Sequence, residues 1–419
     1  SVASRGLGDV YKRQIYGEAN PTFTITYSGF KNGENSSVLD TLATATTGAI
    51  ATSNVGTYAI TPANGADNNY DFSYTDGTLT INKATLTATA DDKTRAYGDP
   101  DPVFTITYTG FKNSETATVI DTPPTGSTTA IAASALGNYP ITLTGGLDNN
   151  YNFSLVDGTL TIGKATLTVT AEDKSRNYGD ANPALTVAYS GFKNGEGVAN
   201  LLTAPTASTT ASTSSPVSTY PIVPANGSDT NYNFIYVDGT LTINKATLTA
   251  TANNDTRVYG DPNPAFTIGY TGFKNGENQS VIDTPPTASS TANSTSVVGN
   301  YDIVPSGGLD NNYTFSFVNG TLAITKATLV ATADNQTRVY GAANPALTIS
   351  YTGFKNSETS AVIDTAPTAS TSAVAATPVG LYAITPSGGT DNNYNFSFVN
   401  GTLTITKAVL TATADNKSR

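Results

Sequence analysis

The chain contains no histidine, cysteine, methionine or tryptophan. Without imidazole it lacks the usual general base at neutral pH and a common zinc ligand; without thiol it has no cysteine nucleophile, disulfide or iron–sulfur site. Catalysis would have to rest on carboxylates, lysine, tyrosine or serine. Lysine and arginine number 21 against 32 acidic residues, a net charge of −11, which disfavours nucleic acid, a partner that needs clustered basic groups; no nucleic acid is expected. No apolar run approaches the ~18 to 20 residues that cross a bilayer as a helix, so no membrane insertion is expected in this stretch. Ser1 in first place and the absence of methionine read as a fragment or a processed product.

Charged residues make up 13% and aromatic residues 9%, and the hydrophobic share of 38% is enough for small cores. That is not the charge-rich composition of a disordered chain. Internal self-similarity then decides the organisation. Tyr-Gly stands at Tyr16, Tyr97, Tyr178, Tyr259 and Tyr340, in steps of 81 residues. Lys-Ala at Lys83, Lys164, Lys245, Lys326 and Lys407 keeps that step, as does the aromatic of Gly-Phe-Lys-Asn at Phe30, Phe111, Phe192, Phe273 and Phe354. Cutting at Lys-Ala gives complete repeats at 83–163, 164–244, 245–325 and 326–406, an incomplete first repeat at 15–82, and the first strand of a truncated sixth at 407–419. Residues 1–14 do not match the register and read as a foreign leader.

Within one repeat, Thr85, Thr87 and Thr89 alternate with Leu86, Ala88 and Ala90, the period of a half-buried strand. Phe104, Ile106 and Tyr108 alternate with threonines in a second strand, and residues 113–121 fit one or two helical turns before Pro123-Pro124. A Thr/Ser/Ala-rich edge strand and a strand over 138–143 follow. Asp157-Gly158, between alternating runs at 153–156 and 159–162, predicts a tight hairpin, with equivalents at Asp76, Asp238, Asn319 and Asn400. The repeat therefore reads as mainly β, five or six short strands with one short helix. A unit of this length carries its own core candidates, unlike a solenoid rung of ~20 to 50 residues, so beads on a string is the expected architecture.

The combination of Tyr97-Gly98-Asp99-Pro100, Gly-Phe, Gly137-Asn-Tyr139, Asn150-Tyr-Asn-Phe153 and Asp-Gly-Thr-Leu-Thr-Ile resembles the MBG domain of the YGX type, over about residues 15 to 419. The resemblance implies a tandem array of small β-grasp-like domains, with an Ig-like sandwich as the alternative. It implies an extracellular place at the bacterial cell surface or in a secreted adhesin-like protein, and no catalytic residues to carry over. The third repeat departs from the pattern with Gly197-Val-Ala-Asn200.

Several positions carry residue types that suit sharper chemistry. Asp99 with Asp101, and Asp148 with Asn149 and Asn150, are candidate calcium ligands, but Ala342 and Asn344 replace the first pair in the fifth repeat and Asp-Asn-Asn is ordinary Asx-turn chemistry. Lys83 and Lys112 could in principle crosslink to an asparagine, but no partner asparagine stands in an apolar strand; the plain reading is a solvated lysine. Threonine runs recurring every 81 residues cannot form an ice-binding plane. No repeat gains a carboxylate pair of the glycosidase kind. The expectation is no enzyme, no cofactor and no catalytic, cofactor or metal site. The partners expected are the neighbouring repeats of the same chain, with a host or matrix glycan or protein as a further one. The first functional reading is a stalk that presents a distal adhesive domain; the second is a multivalent weak binder, with its variation concentrated in the loop after Asp121.

Overall fold

The computed structural model describes residues 11–416; residues 1–10 of the expected leader and the last three of the chain lie outside the described part. The chain divides into two compact units. One comprises residues up to Ala171 with Thr186–Ser208 and Val223–Asp238; the other comprises Glu172–Leu185, Thr209–Ile222 and the residues from Gly239 onward. The first repeat contributes β1 (Tyr11–Ile15), β2 (Thr44–Thr46), β3 (Gly56–Ala63) and β4 (Gly77–Asn82), ordered β1-β4-β3-β2 in one sheet. The second contributes β5 (Ala84–Ala90), β6 (Lys93–Ala96), β7 (Ile106–Thr109), β8 (Thr125–Ser127), β9 (Gly137–Thr144), β10 (Tyr151–Val156) and β11 (Gly158–Gly163). These seven form a three-stranded sheet, β10-β5-β7, and a four-stranded sheet, β6-β11-β9-β8. The fourth and fifth repeats have the same seven strands in the same two orders.

The fold is mainly β, as the alternation of threonine with apolar residues requires. In β5 Ala84, Leu86, Ala88 and Ala90 are buried while Thr85 faces solvent. Ala88 and Ala90 of that face meet Ile141 and Leu143 of β9 and Leu160 of β11 in one core, while Ala84 and Leu86 pack with Ile120 and Tyr151 in another. The count of strands is seven rather than five or six, because the chain breaks after Ala90 and its continuation, β6, joins the other sheet. The expected helix is a single 3-10 turn at Ala117–Val119, and among the described residues no α-helix occurs.

The hairpin expected at Asp157-Gly158 is not formed. β10 runs parallel to β5, with Phe153 opposite Leu86, whereas β11 runs antiparallel to β9 and parallel to β6. The dipeptide carries the chain from one sheet to the other. Glycine is needed for close approach rather than for a positive φ, since a Cβ at Gly158 would stand 2.5 Å from the Ala90 carbonyl oxygen. The Asp157 carboxylate accepts the Leu143 N–H at 3.2 Å, which anchors the crossing on β9. Gly320 and Gly401 lie equally close to the carbonyl oxygens of Ala252 and Ala333.

Among the described residues the first repeat shows the four-stranded sheet. Residues 25–28 and 70–75, the counterparts of β7 and β10, are not strands. In the second repeat those two strands pair only through β5, and the positions equivalent to β5 fall among residues 3–9, outside the described part. Residues 11–14, grouped with the leader on sequence, instead belong to β1, which pairs in parallel with β4 as β6 does with β11. The first repeat differs from the others at one buried position. Arg95 is buried, donating from Nε to Asp101 Oδ1 at 2.6 Å and from Nη2 to the Ile131 carbonyl at 2.7 Å. Arg176, Arg257 and Arg338 repeat this with Asn182, Asn263 and Asn344. Gln14 occupies that position in the first repeat, and its Oε1 and the Asn20 Oδ1 are buried with no hydrogen-bond partner. A buried polar atom left unpaired costs about 1–3 kcal/mol. Gln14→Arg is therefore expected to slow amide hydrogen exchange in β3 and β4 by at least several-fold, measured by mass spectrometry on the whole chain; unchanged exchange would refute the assignment.

Candidate functional site at the repeat junctions

The Tyr-Gly pair follows β6 directly. The Tyr97 N–H donates to the Gly163 carbonyl at 2.8 Å, which extends the β6 ladder by one residue, and Gly98 then turns away with φ +78°. The tyrosine side chain enters the next repeat. Its hydroxyl donates to Glu196 Oε1 at 2.6 Å, and the other oxygen of that carboxylate accepts the hydroxyl of Tyr232, from the same repeat as Glu196, at 2.5 Å. The Tyr232 oxygen in turn accepts the backbone N–H of Lys193 at 2.9 Å. One carboxylate is thus held by two phenols, one from each side of the junction.

The same clasp recurs at every junction between described repeats. Tyr16 and Tyr151 hold Glu115, Tyr178 and Tyr313 hold Glu277, and Tyr259 and Tyr394 hold Glu358, all at 2.5 to 2.6 Å. The first two clasps lie in one compact unit and the last two in the other. The paired tyrosine rings meet edge to face, with centroids 5.5 to 6.0 Å apart. On its other side each inner tyrosine takes the Gly-Phe aromatic of its own repeat, as Phe111 does on Tyr151 at 5.7 Å. Tyr16, Tyr97, Tyr178 and Tyr259 are 3 to 5% exposed, whereas Tyr340, which no further described repeat covers, is 46% exposed.

Glycine is obligatory beside the clasp. A Cβ at Gly98 would lie 2.3 Å from the Lys193 Cβ, and Gly17, Gly179 and Gly260 face Lys112, Lys274 and Lys355 in the same way. At Gly341, after the last Tyr-Gly, nothing lies within 4 Å. The same lysines reach back across the junction: Lys193 Nζ pairs with Asp99 at 2.7 Å, Lys274 with Asp180 at 2.9 Å, Lys355 with Asp261 at 2.8 Å, and Lys112 with Glu18. These pairs are a third to a half exposed, and such pairs contribute about 0–1 kcal/mol, so the buried tyrosines and the shared carboxylate carry the junction.

The candidate calcium ligands are otherwise engaged. Asp148 is buried, and its Oδ1 accepts the N–H groups of Asn150 and Tyr151 at 2.7 and 2.9 Å, an Asx turn repeated at Asp310 and Asp391. Asn150 Oδ1 reaches across the junction to the Val55 N–H at 3.0 Å, as Asn312 and Asn393 do to Val217 and Val298. Asp99 pairs with Lys193 and Asp101 with Arg95. Among the described residues no group of three or more acidic side chains is placed to hold a metal ion. Lys83, read as a solvated lysine, instead donates to the Asp148 carbonyl at 2.7 Å and ties the repeat boundary to that turn. The third repeat's Gly197-Val-Ala-Asn200 keeps a 3-10 turn at Val198–Asn200, with the Gly197 N–H donated to Asn200 Oδ1 at 2.9 Å.

A chain of small β repeats, each plugging a tyrosine into a carboxylate socket of the next, is the class this architecture defines. The chain belongs to the family of the MBG domain (YGX type), whose profile matches residues 11–80, 86–161, 167–242, 248–323 and 329–404. The Tyr-Gly pairs of the first four matches are the ones that enter the following repeat. Comparison with curated proteins finds no match. Among solved structures, Drosophila N-cadherin EC1-4 aligns at 8% identity over 76% of this chain and 99% of that one, with a TM-score of 0.20. The titin I9-I11 tandem aligns at 11% identity over 58% and 100%, with a TM-score of 0.20. Three N-terminal domains of the bacteriophage RB49 outer capsid protein Hoc align at 9% identity over 69% and 100%, with a TM-score of 0.21. Scores this low carry no argument about this chain.

The clasp has a pH signature. Burial, together with the hydrogen bond to Glu196, pushes the Tyr232 hydroxyl up to about 12, and burial with a hydrogen bond to Glu115, Glu277 and Glu358 likewise raises Tyr151, Tyr313 and Tyr394. In the unfolded chain tyrosine ionises near ~10. The neutral phenols therefore contribute stability fully below about pH 10, and that contribution is lost as pH rises toward about 12, because the unfolded chain releases its protons first. Calorimetric melting temperature is expected to be flat up to about pH 9 and to fall steeply above pH 10, with tyrosinate absorbance appearing at the melt. Gly98→Ala, which forces a Cβ against Lys193, is expected to release Tyr97 from its socket and accelerate amide exchange at Tyr97 and Lys193 at least tenfold while leaving β8 and β9 protected.

Proposed function

We propose that the chain is a non-catalytic stalk of a bacterial cell-surface or secreted repeat protein, which holds a distal adhesive domain away from its anchor. The observation that carries this reading is the clasp itself: the same tyrosine, glutamate, lysine and glycine recur at four junctions, each joining one repeat to the next. The residues of the joint keep both identity and role at all four junctions. A spacer needs that; an enzyme would need one repeat to differ. Family membership and the expected place outside the cell agree with the reading, and no helix among the described residues is long and apolar enough to cross a membrane.

A second reading, a multivalent weak glycan binder, draws on one observation. Phe234 and Tyr236, Phe315 and Phe317, and Phe396 and Phe398 are neighbours on edge strands with rings stacked within 14° of parallel, and the outer ring of each pair is 37 to 42% exposed. Flat aromatic faces of this kind suit the C–H face of a sugar. Force spectroscopy and glycan retention separate the two. A stalk is expected to unfold in near-equal steps, each releasing up to about 290 Å for an 81-residue repeat, and to show no retention on mucin or polysaccharide. Retention that rises steeply with repeat number, and is lost when Tyr236, Phe317 and Phe398 become serine, would favour the second reading.

A further inference from the structure

Oxidation of this chain has few places to go. Cysteine, methionine, tryptophan and histidine, the side chains that ordinarily yield electrons before or alongside tyrosine, are all absent, and 23 tyrosines remain. Two of these meet at each of the four clasps, one from either repeat. Their rings stand edge to face with centroids 5.5 to 6.0 Å apart. Both hydroxyls end on a single carboxylate, so the hydroxyl ends of the rings, with the carbons ortho to them, are the parts that converge.

The carboxylate adds a base. Each hydroxyl donates to it at 2.5 to 2.6 Å, and a phenol that hands its proton to a hydrogen-bonded base gives up an electron far more readily than one that must become a radical cation. Glu196 is only half-buried, which leaves that proton a way to solvent. The rings themselves are buried, but an aromatic row reaches each clasp from outside. Tyr189, half-buried, lies 5.6 Å from Phe192, and Phe192 lies 5.7 Å from Tyr232. Tyr270 and Phe273 lead to Tyr313 in the same way, and Tyr351 and Phe354 to Tyr394. Electrons tunnel over such spacings, so an oxidant need not touch the clasp, and burial keeps a radical formed there away from other chains.

We propose that each clasp is a modification site at which a small one-electron oxidant joins the two tyrosines as dityrosine, so that neighbouring repeats become covalently stapled. At the clasp of Tyr97 and Tyr232 each phenol loses one electron to the oxidant and its hydroxyl proton through Glu196 to solvent. The two phenoxyl radicals couple through one ring carbon ortho to each oxygen. Each of those carbons then releases its proton, each oxygen takes one up, and both phenols are restored. The net change is one new carbon–carbon bond and the loss of two hydrogen atoms, as two protons and two electrons, with two equivalents of oxidant reduced. The bond gives a chain without cysteine the kind of crosslink that a disulfide supplies elsewhere. It requires the clasp and is independent of the stalk reading.

The test is illumination of the folded, dilute chain with ruthenium tris-bipyridyl and persulfate, followed by proteolysis and mass spectrometry. Linked peptides that join Tyr97 to Tyr232, Tyr178 to Tyr313 and Tyr259 to Tyr394 are expected, each two hydrogen atoms lighter than its parts, in a yield unchanged by about tenfold further dilution. Tyr236, which is 37% exposed on the surface, is expected to couple far less. Tyr232→Phe is expected to remove the Tyr97 crosslink and leave the other junctions as internal controls. Glu196→Gln, which keeps an oxygen acceptor but no base, is expected to lower that crosslink at least threefold, and unfolding in urea to erase the preference for junction partners. A folded chain that yields no dityrosine across its junctions would overturn the proposal. So would crosslinking that favours Tyr236 of separate chains, or a Tyr97 crosslink formed in full yield by Glu196→Gln.

Discussion

One carboxylate held between two phenols sets the terms for the rest of this structure. Glu196 accepts from Tyr97 of the preceding repeat and Tyr232 of its own, and both rings are almost wholly buried. Hydrogen bonds to a charged group contribute about 1.5–3 kcal/mol each, well above the ~0–1 kcal/mol of the exposed lysine pairs beside them. The clasp forces glycine after the tyrosine, because the lysine stem of the next repeat occupies the space of a side chain. It also makes the core continuous. Tyr97 and Ile162 share one apolar cluster with Ala165, Leu167 and Tyr232, so packing does not close at the Lys-Ala boundary. A junction made of core resists bending more than a linker of exposed residues would.

The repeat also shows how one residue pair serves different ends. Asp157-Gly158 has the composition of a hairpin turn, yet it moves the chain between sheets. A carboxylate that accepts a backbone N–H and a residue without a Cβ are what both situations demand, and only the pairing partners tell them apart. β10 finds β5, about 65 residues earlier, in a parallel ladder, and no local pattern announces so distant a partner. The break after Ala90 is hidden for a similar reason: the alternation continues in composition while the strand changes sheets.

Period-two alternation in β5, the strand at β9, the edge strand at β8 and the 81-residue step were all legible in the sequence, because each depends on neighbouring residues or on simple self-comparison. The site was legible only as a set of landmarks. Tyr, Gly, Lys and Glu keep their places in all five repeats, which signals a shared task, but the clasp joins residues 99 apart, one full repeat plus 18 positions. Asn150 and Lys83 likewise read as a turn and a solvated end until their partners, the Val55 N–H and the Asp148 carbonyl, were in place.

Composition and periodicity alone determined that this chain is a β-repeat array without imidazole or thiol side chains, because those properties are sums over residues or over near neighbours. Tertiary structure alone decided that Tyr-Gly is a plug, that Glu115 and its counterparts are sockets, and that Asp157-Gly158 is a crossing between sheets rather than a hairpin. Each of those is a relation between groups distant in sequence, fixed by which surfaces can be buried together and which backbone groups still need a partner.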